Sequence, residues 1–145
     1  MSYIAARVAY DGTAFHGFQM QRAAPTIQAT LEAALHTCTG SMARVVGSGR
    51  TDTGVHARGQ VVATRVSWKH EIVSLQRAWN ANLPGAIAVR DVVAAPDAFH
   101  PRFSAERRTY RYTVFDGGED VMATLQSPRT SPLTDRFALY LPQLL

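Results

Sequence analysis

The sequence predicts an α+β domain whose elements run β-α-β-β-α-β, an antiparallel sheet with its helices on one face. Three observations carry this. Short segments near Tyr3, Gln60 and Ile87 alternate or concentrate β-branched residues, as strands do. Two longer segments between them repeat apolar residues at helical spacing. Glycine- or proline-bearing breaks punctuate the succession. That order is the split ferredoxin-like topology, whose second sheet face stays open. Many unrelated proteins share it, so the fold alone assigns no function.

The elements follow in order. Tyr3–Tyr10 places Ile4, Ala6, Val8 and Tyr10 on one face of a strand. Pro25-Thr26 opens the first helix with Thr26 as N-cap; Ile27, Leu31, Ala34, Leu35 and Cys38 form its apolar stripe, and Gly40 lies just past its end. Arg44–Val46 is a short strand entering the glycine-rich loop Gly47–Gly54, and Gln60–Val66 is the strand that leaves it. A second helix is expected over His70–Ala81, with Ile72, Leu75 and Trp79 on one side and Asn82-Leu83-Pro84-Gly85 stopping it. Ile87–Val93 alternates as a strand, and after an irregular basic linker Thr109–Phe115 alternates again. Beyond that, Gly117-Gly118-Glu119-Asp120 reads as a turn and Ser127-Pro128 through Ser131-Pro132 as loop. Residues 1–115 are thus one domain, and 116–145 an irregular segment.

Composition narrows the class. A chain of 145 residues with 46% hydrophobic residues is long enough to bury one ordinary core. It has no apolar run near twenty residues and no charged-then-apolar leader, so neither a membrane span nor a signal peptide is expected. The lone cysteine, Cys38, cannot form an internal disulfide and sits on a helix stripe; a reducing cytoplasm is its simplest setting. Residues 1–112 carry 13 basic and 7 acidic side chains, against 2 and 4 in the remainder. All but Lys69 of the 15 basic residues are arginine, whose planar fork suits phosphates and base stacking. A GC-rich genome also favours arginine, so the excess permits nucleic-acid binding without requiring it.

The run Gly49-Arg50-Thr51-Asp52-Thr53-Gly54-Val55-His56-Ala57 sets a guanidinium and a carboxylate two residues apart between glycines. By itself, Arg-x-Asp in such a loop is more often a turn with a local salt bridge than an active site. Other chemistries fail on their residues. Val55-His56 stands where a phosphate-binding loop needs Lys then Ser or Thr, and Gly47-Ser48-Gly49 is no nucleophile elbow. His16, His36, His56, His70 and His100 lack metal-ligand spacing, and one cysteine builds no zinc site. The signature of the RNA-recognition motif is absent too, which weakens a noncatalytic RNA-binding module on the same topology.

The whole motif set resembles the TruA family of tRNA pseudouridine synthases. Gly49-Arg50-Thr51-Asp52-x-Gly54-Val55-His56-Ala57 with Gly59-Gln60-Val61-Val62 is similar to its signature. Tyr10-Asp11-Gly12-Thr13-x-Phe15-x-Gly17-Phe18-Gln19-x-Gln21 is similar to its opening motif, with Phe18 in place of a usual tryptophan. Thr26-Ile27-Gln28 with Leu31-Glu32, Asn80-Ala81-Asn82-Leu83-Pro84, Phe99-His100-x-Arg102-Phe103-Ser104-Ala105 and Arg108-x-Tyr110-Arg111-Tyr112 follow in the family's order. Thr53, where alanine is usual, is a mild departure; the main one is that the family's second domain, of comparable size, is expected to lie outside this chain.

The resemblance implies isomerisation of uridine to pseudouridine at positions 38, 39 and 40 of the tRNA anticodon arm. It implies no cofactor and no metal, a cytoplasmic homodimer, tRNA as partner, and a cleft between two domains, of which this chain supplies the first. Asp52 would be the catalytic carboxylate, attacking the sugar or stabilising positive charge there. Arg50 would help displace the target nucleotide and orient Asp52, and Tyr110 would stack on the flipped base. Gln19, Gln21, His56, Arg58, Arg102, Arg107, Arg108 and Arg111 are the expected RNA contacts, with Asp11 as a loop support. The alternative is an RNA-binding remnant that keeps the motif without turnover.

Overall fold

A computed structural model of the chain describes residues 1–112. Strand β1 spans Ser2–Tyr10, helix α1 Ile27–Thr39, β2 Val46–Gly47, β3 Ala57–Val66, helix α2 Ile72–Ala81 and β4 Ile87–Ala94. All strand pairs are antiparallel and the sheet order is β2-β3-β1-β4. This is the expected β-α-β-β-α-β arrangement. The segment 116–145 and the last part of the expected strand Thr109–Phe115 lie outside the described residues; residues 109–112 themselves form no strand and are exposed. Period-two alternation there found no ladder partner among the described residues.

The core lies between the sheet and the helices. Ile4, Ala6, Val8 and Tyr10 of β1 meet Ile27, Leu31, Leu35, Leu75 and Trp79 in one buried cluster. Fully burying a valine, leucine or isoleucine of this cluster contributes about 1.5–3 kcal/mol. Trp79 is fully buried and its indole N–H still finds the Leu31 carbonyl, 3.1 Å away, which joins the two helices. Asn80 binds both the Val89 carbonyl (2.7 Å) and the Val89 N–H (2.8 Å), holding α2 on β4.

Helix α1 begins and ends where its sequence says. The Thr26 hydroxyl accepts from the Ala29 N–H, and Gly40 takes the left-handed conformation at φ 71°, which favours glycine. Strand β2 is shorter than expected and shifted. The Val45 N–H donates to Glu32 Oε1 and the Val45 carbonyl accepts from Gln28 Nε2, both at 2.9 Å. Side chains of α1 thus take the place of a ladder there. Strand β3 starts three residues early because Ala57 pairs with Tyr10. Among the described residues no helix is long and apolar enough to cross a membrane.

The second sheet face is built differently. Ala5 pairs with Ala63 and Ala9 with Ala88, flanked by Arg7, whose guanidinium bonds Asp91, and by Arg65, 4.7 Å above the Tyr3 ring and 2.9 Å from Asp97. Methyl groups bordered by ion pairs make this face shallow and polar at its margins.

Candidate functional site

The loop between β2 and β3 is tied down at alternate points. Tyr10, buried at the end of β1, sets its phenol 2.6 Å from the Thr51 hydroxyl. The Thr51 carbonyl accepts from the Phe18 N–H at 2.9 Å. Gly17, at φ 78°, lies so close that a methyl group there would stand 2.7 Å from that carbonyl. The Asp52 carbonyl accepts from the Val55 N–H at 3.1 Å, closing a turn through Gly54 at φ 81°. Val55 is buried against Gly12, where a methyl group would fall 1.9 Å from the Val55 carbonyl oxygen. With Thr51 and Val55 held inward, Arg50 and Asp52 are exposed.

His56 is buried beneath this loop. Its Nδ1 accepts from the Gly12 N–H at 2.9 Å and lies 3.0 Å from Asp11 Oδ1. Asp11 also caps the short 3-10 turn Gly12–Ala14, accepting from the Thr13 N–H at 3.0 Å. Both residues therefore brace the loop from below.

A cleft of about 640 Å³ opens beside the loop. Arg50, Arg58, Arg107, Arg108 and Arg111 line it, and its lining residues include no carboxylate. Tyr110 is on its wall and half exposed. Asp52 is not part of the wall, although Arg50 and Thr51 before it are. Five arginines among the described lining residues give the cleft wall a positive charge of the kind that attracts phosphates. The expected contacts divide accordingly. Arg58, Arg107, Arg108 and Arg111 come together with Arg50 and Tyr110, and His56 borders the cleft from its buried position. Arg102 stands off it, with its guanidinium 5.9 Å from the Phe103 ring, which stacks on His100 at 4.3 Å. Gln19 and Gln21 are exposed away from the cleft wall, Gln21 donating to the His16 carbonyl at 2.8 Å.

Four residues important to the loop carried no sequence signal as such. Tyr10 and Thr51 form the tether just described. Ser48 and Gln60 form another: Gln60 accepts from the Ser48 hydroxyl and donates to the Gly49 carbonyl at 2.8 Å. Their motif positions were visible, but a cross-strand bond is not encoded in spacing. Among the described residues no group of three or more His, Cys, Asp or Glu could hold a metal ion.

Comparison with known proteins agrees with this arrangement. The family model described as tRNA pseudouridine synthase matches residues 6–104. A tRNA pseudouridine synthase A from Roseiflexus sp. (strain RS-1) is 43% identical over 145 residues, all of this chain and 50% of the relative. Proteins of the same name from Pseudothermotoga lettingae and Vibrio cholerae are each 44% identical, over 82% and 78% of this chain and 49% and 43% of their own lengths. The chain spans about half the length of the curated relatives it matches. A matched segment that runs from within β1 past β4 and includes the tethered Arg50–Asp52 loop leaves one conclusion: the chain belongs to the tRNA pseudouridine synthase family.

Proposed function

We propose that this protein isomerises uridine to pseudouridine at positions 38, 39 and 40 of the tRNA anticodon stem-loop. Residues 1–115 would serve as the N-terminal catalytic half, with a further domain facing the cleft, in a homodimer of the cytoplasm. The observation that carries the reading is the pair of exposed side chains, Arg50 and Asp52, on either side of tethered Thr51 beside a cleft lined by arginines.

The chemistry follows from the charges. The N1–C1′ bond breaks, the base turns, C5 joins C1′, and the proton on C5 leaves while N1 gains one. Asp52 supplies negative charge for the sugar, by attack or by electrostatic stabilisation, as carboxylates do in glycoside cleavage. A hydrolase needs a second carboxyl group to handle water; an isomerase keeps its leaving group and must exclude water, so one carboxylate suffices. Arg50 fills or holds the place of the extruded nucleotide, which costs a few kcal/mol to unstack. Tyr110, half exposed on the cleft wall, offers a stacking surface of about 1–3 kcal/mol per base.

The test is Asp52→Asn in the protein as encoded by its gene, read by tritium release from C5-labelled uridine in tRNA. Pseudouridine formation is expected to vanish while tRNA binding stays within a few-fold. Activity near the parent level would remove Asp52 from this role, and tRNA binding without turnover by the parent would leave an RNA-binding remnant.

A further inference from the structure

One of the cleft arginines is engaged by the protein itself. Nη2 of Arg108 donates to the Ser48 carbonyl at 2.9 Å and to the Arg102 carbonyl at 3.3 Å. A guanidinium nitrogen carries two hydrogens, so one nitrogen serves both acceptors. The group also lies against the loop backbone: a methyl group at Gly49 would stand 3.8 Å from its Nε.

The bonded positions are significant. Ser48 precedes Arg50 by two residues and Asp52 by four, and Arg108 precedes Tyr110 by two. The Arg102 carbonyl belongs to a turn closed by the Ser104 N–H on the His100 carbonyl at 2.8 Å. On its other side the same stretch of loop is held to β3, through Gln60 on Gly49 and through the Ser48 N–H on the Val61 carbonyl at 2.8 Å. Arg108 is therefore the connection from the segment bearing Tyr110 to the loop bearing Asp52. By contrast, Arg50, Arg107 and Arg111 are exposed and have no bonded partner among the described residues.

We propose that Arg108 is a positioning residue that sets Tyr110 against Asp52, and that it is not one of the phosphate contacts. This deepens the functional reading above and rests on it for the roles of Asp52 and Tyr110. With Nη2 committed to two carbonyls, a phosphate would find only Nη1 and Nε of Arg108, and Nε lies against Gly49, whereas Arg107 offers its full set of donors.

The experiment compares Arg108→Met, Arg108→Lys and Arg107→Met in the protein as encoded by its gene. Three measurements are made: single-turnover rate at saturating tRNA, tRNA affinity across a salt series, and amide hydrogen exchange. For Arg108→Met the rate is expected to fall about ten- to a hundredfold, the scale of a small misplacement of reacting groups. Its affinity and salt slope should match the parent, and exchange should quicken over residues 47–52 and 105–110 together. Arg108→Lys should recover much of the rate, because one ammonium also carries enough hydrogens for both carbonyls. Arg107→Met should keep the saturating rate and lower the log–log salt slope by about 0.7–0.9, one phosphate contact. If Arg108→Met instead lowers the slope by that amount and keeps both rate and exchange, the proposal is overturned. Should the parent form no pseudouridine in any tRNA, the functional reading fails on its own. Slope and exchange would still decide for or against Arg108 as the connection between the two segments.

Discussion

The phenol of Tyr10 and the hydroxyl of Thr51 stand 2.6 Å apart, joining the buried end of β1 to the residue between Arg50 and Asp52. Tyr10 is 1% exposed and packs near Phe18, ring centres 6.3 Å apart, so its ring cannot shift to follow a loose loop. Tyr10→Phe keeps that packing and deletes the tether. It should cost about 1 kcal/mol of stability and slow the proposed reaction about tenfold or more by loosening Asp52. Single-turnover kinetics beside urea denaturation checks this; an unchanged rate would show that Phe18 and Gly17 hold Thr51 unaided.

Glycines at two places should respond differently to alanine. At Gly12 the added methyl group meets the Val55 carbonyl oxygen at 1.9 Å, main chain against main chain, and neither side yields cheaply. Gly12→Ala should lose about 3 kcal/mol or more and disturb the loop. At Gly40 there is open space, so Gly40→Ala should lose only the left-handed penalty of about 1–2 kcal/mol. Denaturation midpoints of the two variants give the comparison, and the reverse ranking would refute the close approach at Gly12.

Thr64 is 3% exposed and its hydroxyl has no hydrogen-bond partner among the described residues. Thr64→Val keeps the branched shape and removes an unsatisfied polar atom from the core. A gain of about 1 kcal/mol or more is expected, since a buried unpaired hydroxyl carries its desolvation cost. Thermal unfolding measures it; a loss would mean that the hydroxyl has a partner in solution.

Burial raises the Cys38 thiol above its usual value of 9.0. A raised value means that the folded state holds the proton more tightly than the unfolded chain. Cys38 thus adds stability that is fully present below the unfolded value and is lost as pH climbs through the folded one. Its reaction with a disulfide reagent at pH 8 should be slower than that of a free cysteine, and should accelerate on unfolding. Reaction at the free rate in the native protein would place the thiol in solvent.

Some of this could be read from the chain and some could not, for physical reasons. Thr26 and Gly40 mark α1 because caps are local: one side chain, one backbone angle. The stripe Leu31, Leu35, Leu75 and Trp79 was legible because periodicity reports burial directly. Strand β2 was misjudged because the bonds of Val45 come from Glu32 and Gln28, 13 and 17 residues away, and spacing within a strand does not show a helix side chain filling the ladder's role. For the site, the motif singled out Arg50 and Tyr110, which lie on the cleft wall, and Asp52, which is exposed beside it. It could not separate Arg108, bound to the Ser48 carbonyl, from its neighbour Arg107, which has no bonded partner among the described residues. Both are arginines in one basic run, and only geometry tells a brace from a free cation.

The clamp of Gln28 and Glu32 on Val45 also creates freedom nearby. Helix α1 finishes on its own at Gly40, and the chain is gripped again at Val45 by side chains that belong to that same helix. Between the two anchors Met42 is 82% exposed and contributes nothing to the cleft wall. Extra residues inserted at that point would pay only loop-closure entropy, about 0.6 kcal/mol for each doubling of length. The corner at Met42 is therefore a ready attachment point for a fluorophore or an epitope, through which this domain could be watched in a tRNA-binding assay without touching the cleft arginines.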